Sequence, residues 1–395
     1  MSDREAARPP RVAVVSDLRE EGWFSMDLVA EMLLEGLRRD YGEEVTAERV
    51  CPPMRRRLSR AGDSNGALFN ADRLLNRFLD YPRQLRRVRA EFDLFHVVDH
   101  SYSQLLHQLP AGRTVVTCHD LDTFRCLLDP ASEPRPVPFR LMMRRVLEGF
   151  RKAARVACDS AATRDELLAH GLFPPGQLVV IPNGVHPAFN AAADGEAARE
   201  ADREAARLLG EREDGACDLL HVGSTIARKR VDVLLETFAA VRRELPRARL
   251  VRVGGELSPA QRAHAEELKV SGAVVVLPFL RREVLAAVYR RAALVLQPSE
   301  REGFGLPVVE ALACGTHVVA SDLPVLREVG GEAASYCAVG DSKAWAERCV
   351  ELLHERASDA GGWRERSDAG VRRASRFTWA EYVEKTVALY RELLA

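Results

Sequence analysis

Short apolar stretches with strand character alternate with longer amphipathic stretches along almost all of the 395 residues. Helical periodicity fills the intervals, as at 26–41, 231–245 and 282–292. The strands are apolar throughout rather than at every second residue, which indicates parallel sheets covered by helices on both faces. The predicted fold class is therefore α/β. The expected strands are 11–16, 94–98, 114–118, 155–158, 178–182, 218–222, 248–253, 273–277, 293–297 and 316–320.

The alternation pauses near residues 183–217, which predicts a domain boundary there. This interval opens with the turn-forming sequence NGVHPAFN and continues as a charged, alanine-rich stretch that favours helix. A chain of this length is also expected to form two domains rather than one. The sequence therefore predicts two Rossmann-like halves of similar size.

Composition narrows the class of protein. A hydrophobic content of 47% with a net charge of −1 describes a globular chain and gives no reason to expect a nucleic-acid partner. The eight cysteines form no CxxC pair. With no signal peptide recognisable, we expect reduced thiols in a cytoplasmic protein. The apolar runs are too short to span a bilayer, so any membrane contact would be peripheral.

Positive charge is concentrated in the first half of the chain. Residues 50–160 contain 19 lysines and arginines against 12 acidic residues, with clusters at 55–57, 83–89 and 140–155. Such clusters form solvated helix faces in many proteins. They also fit attraction to anionic lipid headgroups, at the inner membrane face, or to an anionic acceptor.

The stretch SEREGFGLPVVEALACG, residues 299–315, predicts a glycine loop between a buried strand and a helix that starts near Pro307. In open α/β sheets, ligands bind at the carboxyl ends of strands, where helix N-termini attract phosphate. Its two acids, Glu302 and Glu310, could bind a metal, act as an acid/base pair or bind a sugar nucleotide. Glu310, expected in the first helical turn, would repel phosphate but could accept hydrogen bonds from a ribose diol. Solvent exposure of Glu302 and simple helix stabilisation by Glu310 are the structural alternatives.

A second pattern, LLHVGSTIARKRVDVLLETF at 219–238, takes a strand through Gly223 into a basic helix start. Arg228, Lys229 and Arg230 there suit a diphosphate, whose negative charge grows as it leaves. A capped surface helix with a chance basic cluster is the alternative.

A third pattern, TVVTCHDLDTF at 114–124, places His119 at the carboxyl end of a strand. A histidine in this position can be structural or functional. No side chain stands out as a covalent nucleophile.

These motifs closely resemble the retaining GT-B glycosyltransferases of family 4. The resemblance is carried by PSEREGFGLPVVEALACG and by the basic segment after Gly223, and it extends over nearly the whole chain. It implies two Rossmann-like domains facing a cleft. It assigns residues 1–185 to an acceptor-binding domain and 186–376 to a nucleotide-sugar-binding domain, with a final helix at 377–395 crossing back onto the first.

The resemblance also implies roles for single residues. It makes Glu302 a sugar contact with a part in the chemistry, Glu310 a ribose contact and Lys229 a phosphate contact. Many members carry an arginine directly after the glycine, where this chain has Ser224; Arg228 or the Ser224 hydroxyl would then replace it. The remaining donor contacts are the backbone amides of Phe304, Gly305 and Leu306, together with Gly303 and Gly22.

In the first domain, the resemblance makes His119 a catalytic residue that hydrogen-bonds the sugar and stabilises the oxocarbenium-like state. A family loop rich in glycine keeps only Gly22 here, which predicts an acceptor pocket walled by Trp23 and Ser25. Tyr102 is a further candidate wall, or a core residue.

The predicted function is transfer of a sugar, of the hexosyl type, from a nucleotide-sugar co-substrate to a hydroxyl with retention. The acceptor is expected to be a sugar, a lipid-linked molecule or a small molecule. Front-face substitution is expected, without cofactor or metal. Two alternatives are a sugar-nucleotide epimerase of the same fold and a non-catalytic sugar-nucleotide-binding subunit. A dinucleotide-dependent oxidoreductase is disfavoured because no GxGxxG follows the first strand.

Overall fold

The computed structural model describes residues 8–60, 62–63, 66–192, 194–211 and 215–395. The chain divides into two compact units. The first contains the chain up to Gly184 together with Trp379–Ala395, and the second contains Val185–Thr378. The break after Gly184 falls in the turn-forming NGVHPAFN segment, where the alternation of strands and helices pauses.

The first unit is built on a six-stranded sheet in the order β2-β1-β3-β4-β5-β6, with parallel pairing throughout. β1, β3, β4 and β5 are buried almost along their whole length, as expected for strands covered on both faces. The strands are β1 Arg11–Val15, β2 Thr46–Val50, β3 Leu94–Val97, β4 Thr114–Cys118, β5 Arg155–Cys158 and β6 Leu178–Val180.

Helices cover this sheet, and the helix that ends the chain is among them. α15 packs against α1 and β3, which ties the last residues of the chain to the first unit. The helices are α1 Phe24–Asp40, α2 Ala67–Leu75, α3 Tyr81–Val88, α4 Arg125–Leu128, α5 Val137–Phe150, α6 Ala161–Ala169 and α15 Trp379–Leu394.

The second unit has its own six-stranded parallel sheet, in the order β12-β11-β10-β7-β8-β9. Its core is a separate cluster of buried side chains around Phe238 and Trp345. The strands are β7 Asp218–Val222, β8 Arg249–Val253, β9 Val274–Leu277, β10 Leu294–Gln297, β11 Val318–Ser321 and β12 Ser335–Cys337. The helices are α7 Glu196–Leu209, α8 Val231–Glu244, α9 Pro259–Glu267, α10 Arg282–Arg291, α11 Leu306–Ala313, α12 Pro324–Gly330, α13 Ser342–Ser358 and α14 Ala360–Ala374.

All ten predicted strands are present, within one or two residues of their expected bounds. β2 and β12, the outermost strands on one side of each sheet, are not among the predicted strands. β2 is only partly buried and mixes charged with apolar residues, and β12 has three residues. Neither carries the apolar run that identifies a central strand.

Strand order indicates where each unit would bind a ligand. The order reverses between β1 and β3 in the first unit and between β7 and β10 in the second. In doubly wound sheets a crevice opens at such a switch point, outside the carboxyl ends of the strands. The basic segment after β7 and the glycine loop after β10 lie on either side of the switch point of the second sheet.

Candidate functional site

In the second unit, Glu302 joins the loop after β10 to the loop after β7. Its Oε1 accepts hydrogen bonds from Lys229 Nζ at 2.7 Å and from Ser299 Oγ at 2.7 Å. A third bond, of 2.6 Å, comes from Gln297 Nε2. Arg228 Nη1 lies 3.5 Å from Oε2. The sequence thus folds so that the predicted sugar contact and phosphate contacts meet at the switch point.

This carboxylate is charged at neutral pH. Its side chain is 6% exposed. Burial disfavours the charge, but Lys229 and Arg228, together with the hydrogen bonds from Lys229 and Ser299, outweigh burial and lower the pKa of Glu302 to about 2. The alternative of a solvent-exposed Glu302 therefore does not hold.

The basic segment after Gly223 forms a single 3-10 turn, Ala227–Lys229, followed by α8. Arg228 donates from Nη1 to the Arg301 carbonyl at 3.0 Å, and its own carbonyl accepts from the Glu300 amide at 2.8 Å. Ser224 lies in the loop between β7 and this turn, half-buried. The two loops are therefore connected through backbone as well as side chains.

The glycine loop ends at Gly305, which adopts the left-handed conformation with φ 98° and precedes the first residue of α11. A residue with a Cβ would be strained in this conformation, and its Cβ would lie 2.7 Å from Leu326 Cδ2 and displace that side chain. Gly303 and Phe304 are buried, and Leu306 begins the helix with Pro307 behind it. The amides of 304–306 therefore lie at a helix N-terminus, where they suit an anion.

The expected position of Glu310 in the first turn of this helix is wrong. α11 begins at Leu306, so Glu310 is its fifth residue and lies in the second turn. The side chain is buried, and its Oε2 accepts a hydrogen bond from Tyr289 Oη at 3.0 Å. Burial raises the pKa of Glu310 to about 7, opposed by the Tyr289 hydrogen bond and the Arg282 charge. Burial, rather than the helix dipole, sets its charge state.

In the first unit, His119 follows β4 and uses both ring nitrogens within the protein. Nδ1 lies 2.6 Å from Asp159 Oδ2 and Nε2 lies 2.8 Å from the Val98 carbonyl oxygen. Both partners are acceptors, so both nitrogens carry protons and the ring is an imidazolium. Burial opposes this charge, but Asp159, Asp99 and the Val98 carbonyl raise the pKa of His119 to about 9.

This geometry bears on the role expected of His119. Neither ring nitrogen is available to a sugar hydroxyl in this conformation, so the expected contact would require the ring to leave the Val98 carbonyl. An imidazolium is also poorly suited to stabilise a positive oxocarbenium-like state. The catalytic assignment stays a prediction.

Further polar groups that the sequence analysis did not single out surround His119. Asn183 donates to the same oxygen of Asp159 at 2.9 Å. His100, also buried, lies with Nδ1 3.4 Å from Asp99 Oδ1. Buried Asp17, after β1, lies near Asp99, and burial and that charge raise the pKa of Asp17 well above its usual value. A polar cluster therefore lies at the carboxyl ends of β1, β3, β4 and β5.

The loop after β1 contains the predicted acceptor wall. Gly22 has φ 69° and open space around its Cα, and Trp23 is half exposed with Nε1 donating to Glu21 Oε2 at 3.0 Å. Ser25 is exposed. Tyr102 is 1% exposed, and its hydroxyl accepts from the Leu18 amide at 3.1 Å. The structure therefore places Tyr102 in the core rather than in an open acceptor pocket.

Three residues that the sequence reasoning missed lie close to the predicted site. Tyr289 hydrogen-bonds Glu310, and His221 and Arg252 are buried beside the Gly223 loop. Arg252 interrupts the apolar run RLVRV, and a charge inside a predicted central strand is a signal that could have identified it.

In the described parts of the chain, no three His, Cys, Asp or Glu side chains are grouped so that they could bind a metal ion. Of the helices described, none combines the length and the apolar character that crossing a bilayer demands.

Family models of glycosyltransferases match both halves of the chain. The family model described as Glycosyltransferase Family 4 matches residues 29–189, and the model for glycosyl transferases group 1 matches residues 216–355. A D-inositol 3-phosphate glycosyltransferase of Kineococcus radiotolerans is 30% identical over 336 residues, which span 78% of this chain and 73% of that protein.

Solved structures share the fold at lower sequence identity. Sucrose-phosphate synthase of Thermosynechococcus elongatus aligns with a TM-score of 0.74 and 21% identity, covering 97% of this chain and 99% of that one. HepE of Anabaena, solved in complex with UDP and glucose, aligns with a TM-score of 0.67 and 15% identity, covering 96% and 99%. These two similarities show a shared fold.

Proposed function

Because this chain belongs to the group 1 and family 4 glycosyltransferases, we propose that it transfers a sugar from a nucleotide-sugar donor to a hydroxyl acceptor with retention of anomeric configuration. The proposed enzyme is of the hexosyltransferase type. The donor is assigned to the second unit and the acceptor to the first.

The observation that carries the proposal is the meeting of Lys229, Arg228 and Glu302 at the switch point of the second sheet. Lys229 and Arg228 supply positive charge where a diphosphate is expected. Glu302 supplies an ionised acceptor whose Oε2 lies 3.5 Å from Arg228 Nη1. That oxygen suits a sugar hydroxyl, which donates one hydrogen bond.

The charges also fit departure of a nucleoside diphosphate. As the bond from sugar to phosphate breaks, negative charge grows on the phosphate oxygen, and Lys229 and Arg228 stabilise it. Glu302 holds Lys229 through a 2.7 Å ion pair before the donor binds. Retention needs no covalent nucleophile if the acceptor attacks the sugar from the face that the phosphate leaves. The departing phosphate oxygen then takes the proton of the acceptor hydroxyl. No metal is required in this proposal, because lysine and arginine neutralise the diphosphate.

Binding of the donor tests the assignment. A thermal-shift screen against UDP-, GDP-, ADP- and dTDP-sugars identifies the nucleotide, and calorimetry then measures its affinity. Lys229→Ala and Glu310→Ala are expected to weaken binding at least tenfold, or about 1.4 kcal/mol. The exposed Glu283→Ala serves as a control and should bind normally. Unchanged binding in both site variants would overturn the assignment.

Transfer is tested by product analysis. NMR of the product reports the anomeric configuration, and inversion would contradict the proposed mechanism. D-Inositol 3-phosphate is the first acceptor to try, given the name of the Kineococcus relative. Activity that survives a chelator is expected. Isomerised donor without any transfer would favour the epimerase alternative, and nucleotide binding without turnover would favour a non-catalytic subunit.

We also propose peripheral membrane contact through α5 of the first unit. Val137, Phe139 and Leu141 are exposed near its start, and Leu141 is 56% exposed. Exposed Arg144 and Arg145 follow on the same helix. Apolar side chains beside arginines suit an interface of anionic headgroups.

Co-sedimentation with vesicles tests the membrane contact. Binding to phosphatidylglycerol vesicles, and not to phosphatidylcholine vesicles, is expected for the unmodified protein. Arg144→Glu with Leu141→Glu should abolish it, whereas Arg243→Glu on exposed α8 surface should not. Equal binding by all forms would contradict the assignment to α5.

A further inference from the structure

Arg252, on β8, is a buried arginine. It is 0% exposed, and among the residues that the structure describes no carboxylate lies within ion-pair distance of it. Glu256, the acid that most affects it, is exposed. Burial lowers the pKa of Arg252 from its usual value. A buried charge of this kind is costly unless something compensates it.

Backbone carbonyls compensate part of the charge. Nη2 donates to the Gly223 carbonyl at 2.7 Å, and Nη1 donates to the Gly255 carbonyl. Nε is buried and has no hydrogen-bond partner among the described residues. One guanidinium thus holds the loop after β7 and the loop after β8 together.

These two hydrogen bonds fix the direction of the peptide groups that follow. In a trans peptide, the carbonyl oxygen and the next N–H point to opposite sides. Because the carbonyls of Gly223 and Gly255 point at Arg252, the amides of Ser224 and Glu256 point away from it. Neither amide donates to another group within the described residues.

The surroundings of Gly223 are electropositive. A Cβ at Gly223 would lie 3.2 Å from His221 Cε1 and 3.8 Å from Lys229 Cδ. His221 pairs in register with Arg252, and both of its ring nitrogens are buried without a hydrogen-bond partner in the described part of the chain. Burial and the charges of Arg252 and Lys229 lower the pKa of His221 to about 3, so its ring is neutral. Around this loop, Glu302 is the buried carboxylate that faces Lys229 and Arg228.

We propose that Arg252 is a positioning residue for the binding of a diphosphate. It orients the amides of Ser224 and Glu256 toward the ligand, and it places a positive charge behind them. The ligand class, the diphosphate of a nucleotide sugar, rests on the proposed function. Ser224, which follows Gly223 where an arginine was expected, contributes its amide, and the missing cation comes from the neighbouring strand.

Inorganic pyrophosphate is the probe, because it carries the charge of the ligand without a base or a sugar. Arg252→Met should weaken its binding to the full-length protein at least tenfold in calorimetry. Arg252→Lys keeps the charge but loses the fork that holds two carbonyls, so an intermediate affinity is expected. Arg249→Met is the matched control, because it removes an arginine of the same strand at the opposite end, paired with Asp218. It should retain the affinity.

The double variant Arg252→Met/Ser224→Arg distinguishes this role from a purely structural one, which would leave the lost pyrophosphate affinity unrestored. It places a cation directly after Gly223 and should recover part of the lost affinity. Wild-type affinity in folded Arg252→Met, or no binding of pyrophosphate by the unmodified protein, would overturn the inference.

A second measurement applies if Arg252→Met does not fold. Amide hydrogen exchange of the unmodified protein should slow in peptides 219–228 and 253–260 when pyrophosphate binds. Unchanged exchange in both peptides despite binding would equally overturn the inference. Arg252-dependent pyrophosphate binding without any sugar transfer would instead contradict the proposed function and leave this inference standing.

Discussion

His119 and Glu310 have protonation states that their sequence neighbours do not suggest. The pKa of His119 is raised to about 9 because acceptors face both of its ring nitrogens. The pKa of Glu310 is raised to about 7 because the side chain is buried, and the hydrogen bond from Tyr289 only partly offsets this effect. Folding creates both environments, and each shift makes folding depend on pH.

Asp159→Asn should remove the elevated pKa of His119. A histidine with a raised folded pKa stabilises the protein fully below the unfolded value of 6.5, and this contribution is lost as the pH rises through about 9. The contribution is up to about 3 kcal/mol, at about 1.4 kcal/mol per pKa unit. Urea unfolding at pH 6.5, 8 and 9.5, with NMR titration of the ring, measures it. A His119 that titrates near 6.5 in the unmodified protein would refute the ion pair.

Glu310→Gln should change stability and nucleotide affinity in opposite directions. A carboxyl with a raised folded pKa costs stability as the pH rises from 4.5 to about 7, by up to about 3 kcal/mol. The amide avoids that cost, so the variant should unfold at a higher urea concentration at pH 8 and match the unmodified protein at pH 4.5. Its nucleotide affinity should fall because a ribose diol loses an ionised acceptor. Exposed Glu283→Gln should change neither.

The elements that shape the site are the loops and helix starts after β7 and β10. The loop after β10 reaches α11 through Gly305, whose left-handed φ disfavours any residue with a Cβ. The Lys229–Glu302 pair then joins this loop to the 3-10 turn after β7. Gly305, the Lys229–Glu302 pair and the backbone contacts of Arg228 therefore together position the N-terminus of α11.

Gly305→Ala should displace the start of α11 and weaken nucleotide binding. The left-handed conformation and the contact with Leu326 together should cost about 1–3 kcal/mol of unfolding free energy. Thermal denaturation and calorimetry measure the two effects. Gly272→Ala is the control, since a Cβ there would meet no atom within 4 Å. Normal nucleotide affinity in Gly305→Ala would show that the helix start is not part of the site.

On the scale of the whole molecule, the two units have separate sheets and separate cores. The first is assembled from both ends of the chain, because α15 packs into it. Tyr390 Oη lies 2.7 Å from Nδ1 of His96 on β3, and both side chains are fully buried. This bond joins residues 294 positions apart in sequence.

Tyr390→Phe should destabilise the first unit by about 1–3 kcal/mol, because the buried nitrogen of His96 loses its partner. Nucleotide affinity, assigned to the second unit, should be unaffected. Calorimetric unfolding with and without nucleotide measures both. Lys385→Ala, on the exposed side of α15, should have little effect on either. A fall in nucleotide affinity in Tyr390→Phe would contradict the assignment of nucleotide binding to the second unit.

The sequence by itself determined the α/β class, ten of the twelve strands, the pause at residues 183–217 and the family. These follow from local hydrophobic patterns and from residues close together in the chain, such as 299–315. The edge strands β2 and β12 were not predicted because their sequences, TAERV and SYC, contain no apolar run.

Only the tertiary structure decided how the site residues are paired and charged. Glu302 is buried against Lys229, 73 positions away in sequence, His119 is held by Asp159, and Glu310 lies one turn deeper than expected. Arg252 donates to the carbonyl of Gly223, which directly follows the neighbouring strand β7. Burial and the partners brought near by folding set a side chain's charge and the hydrogen bonds it can still make, and local sequence contains neither.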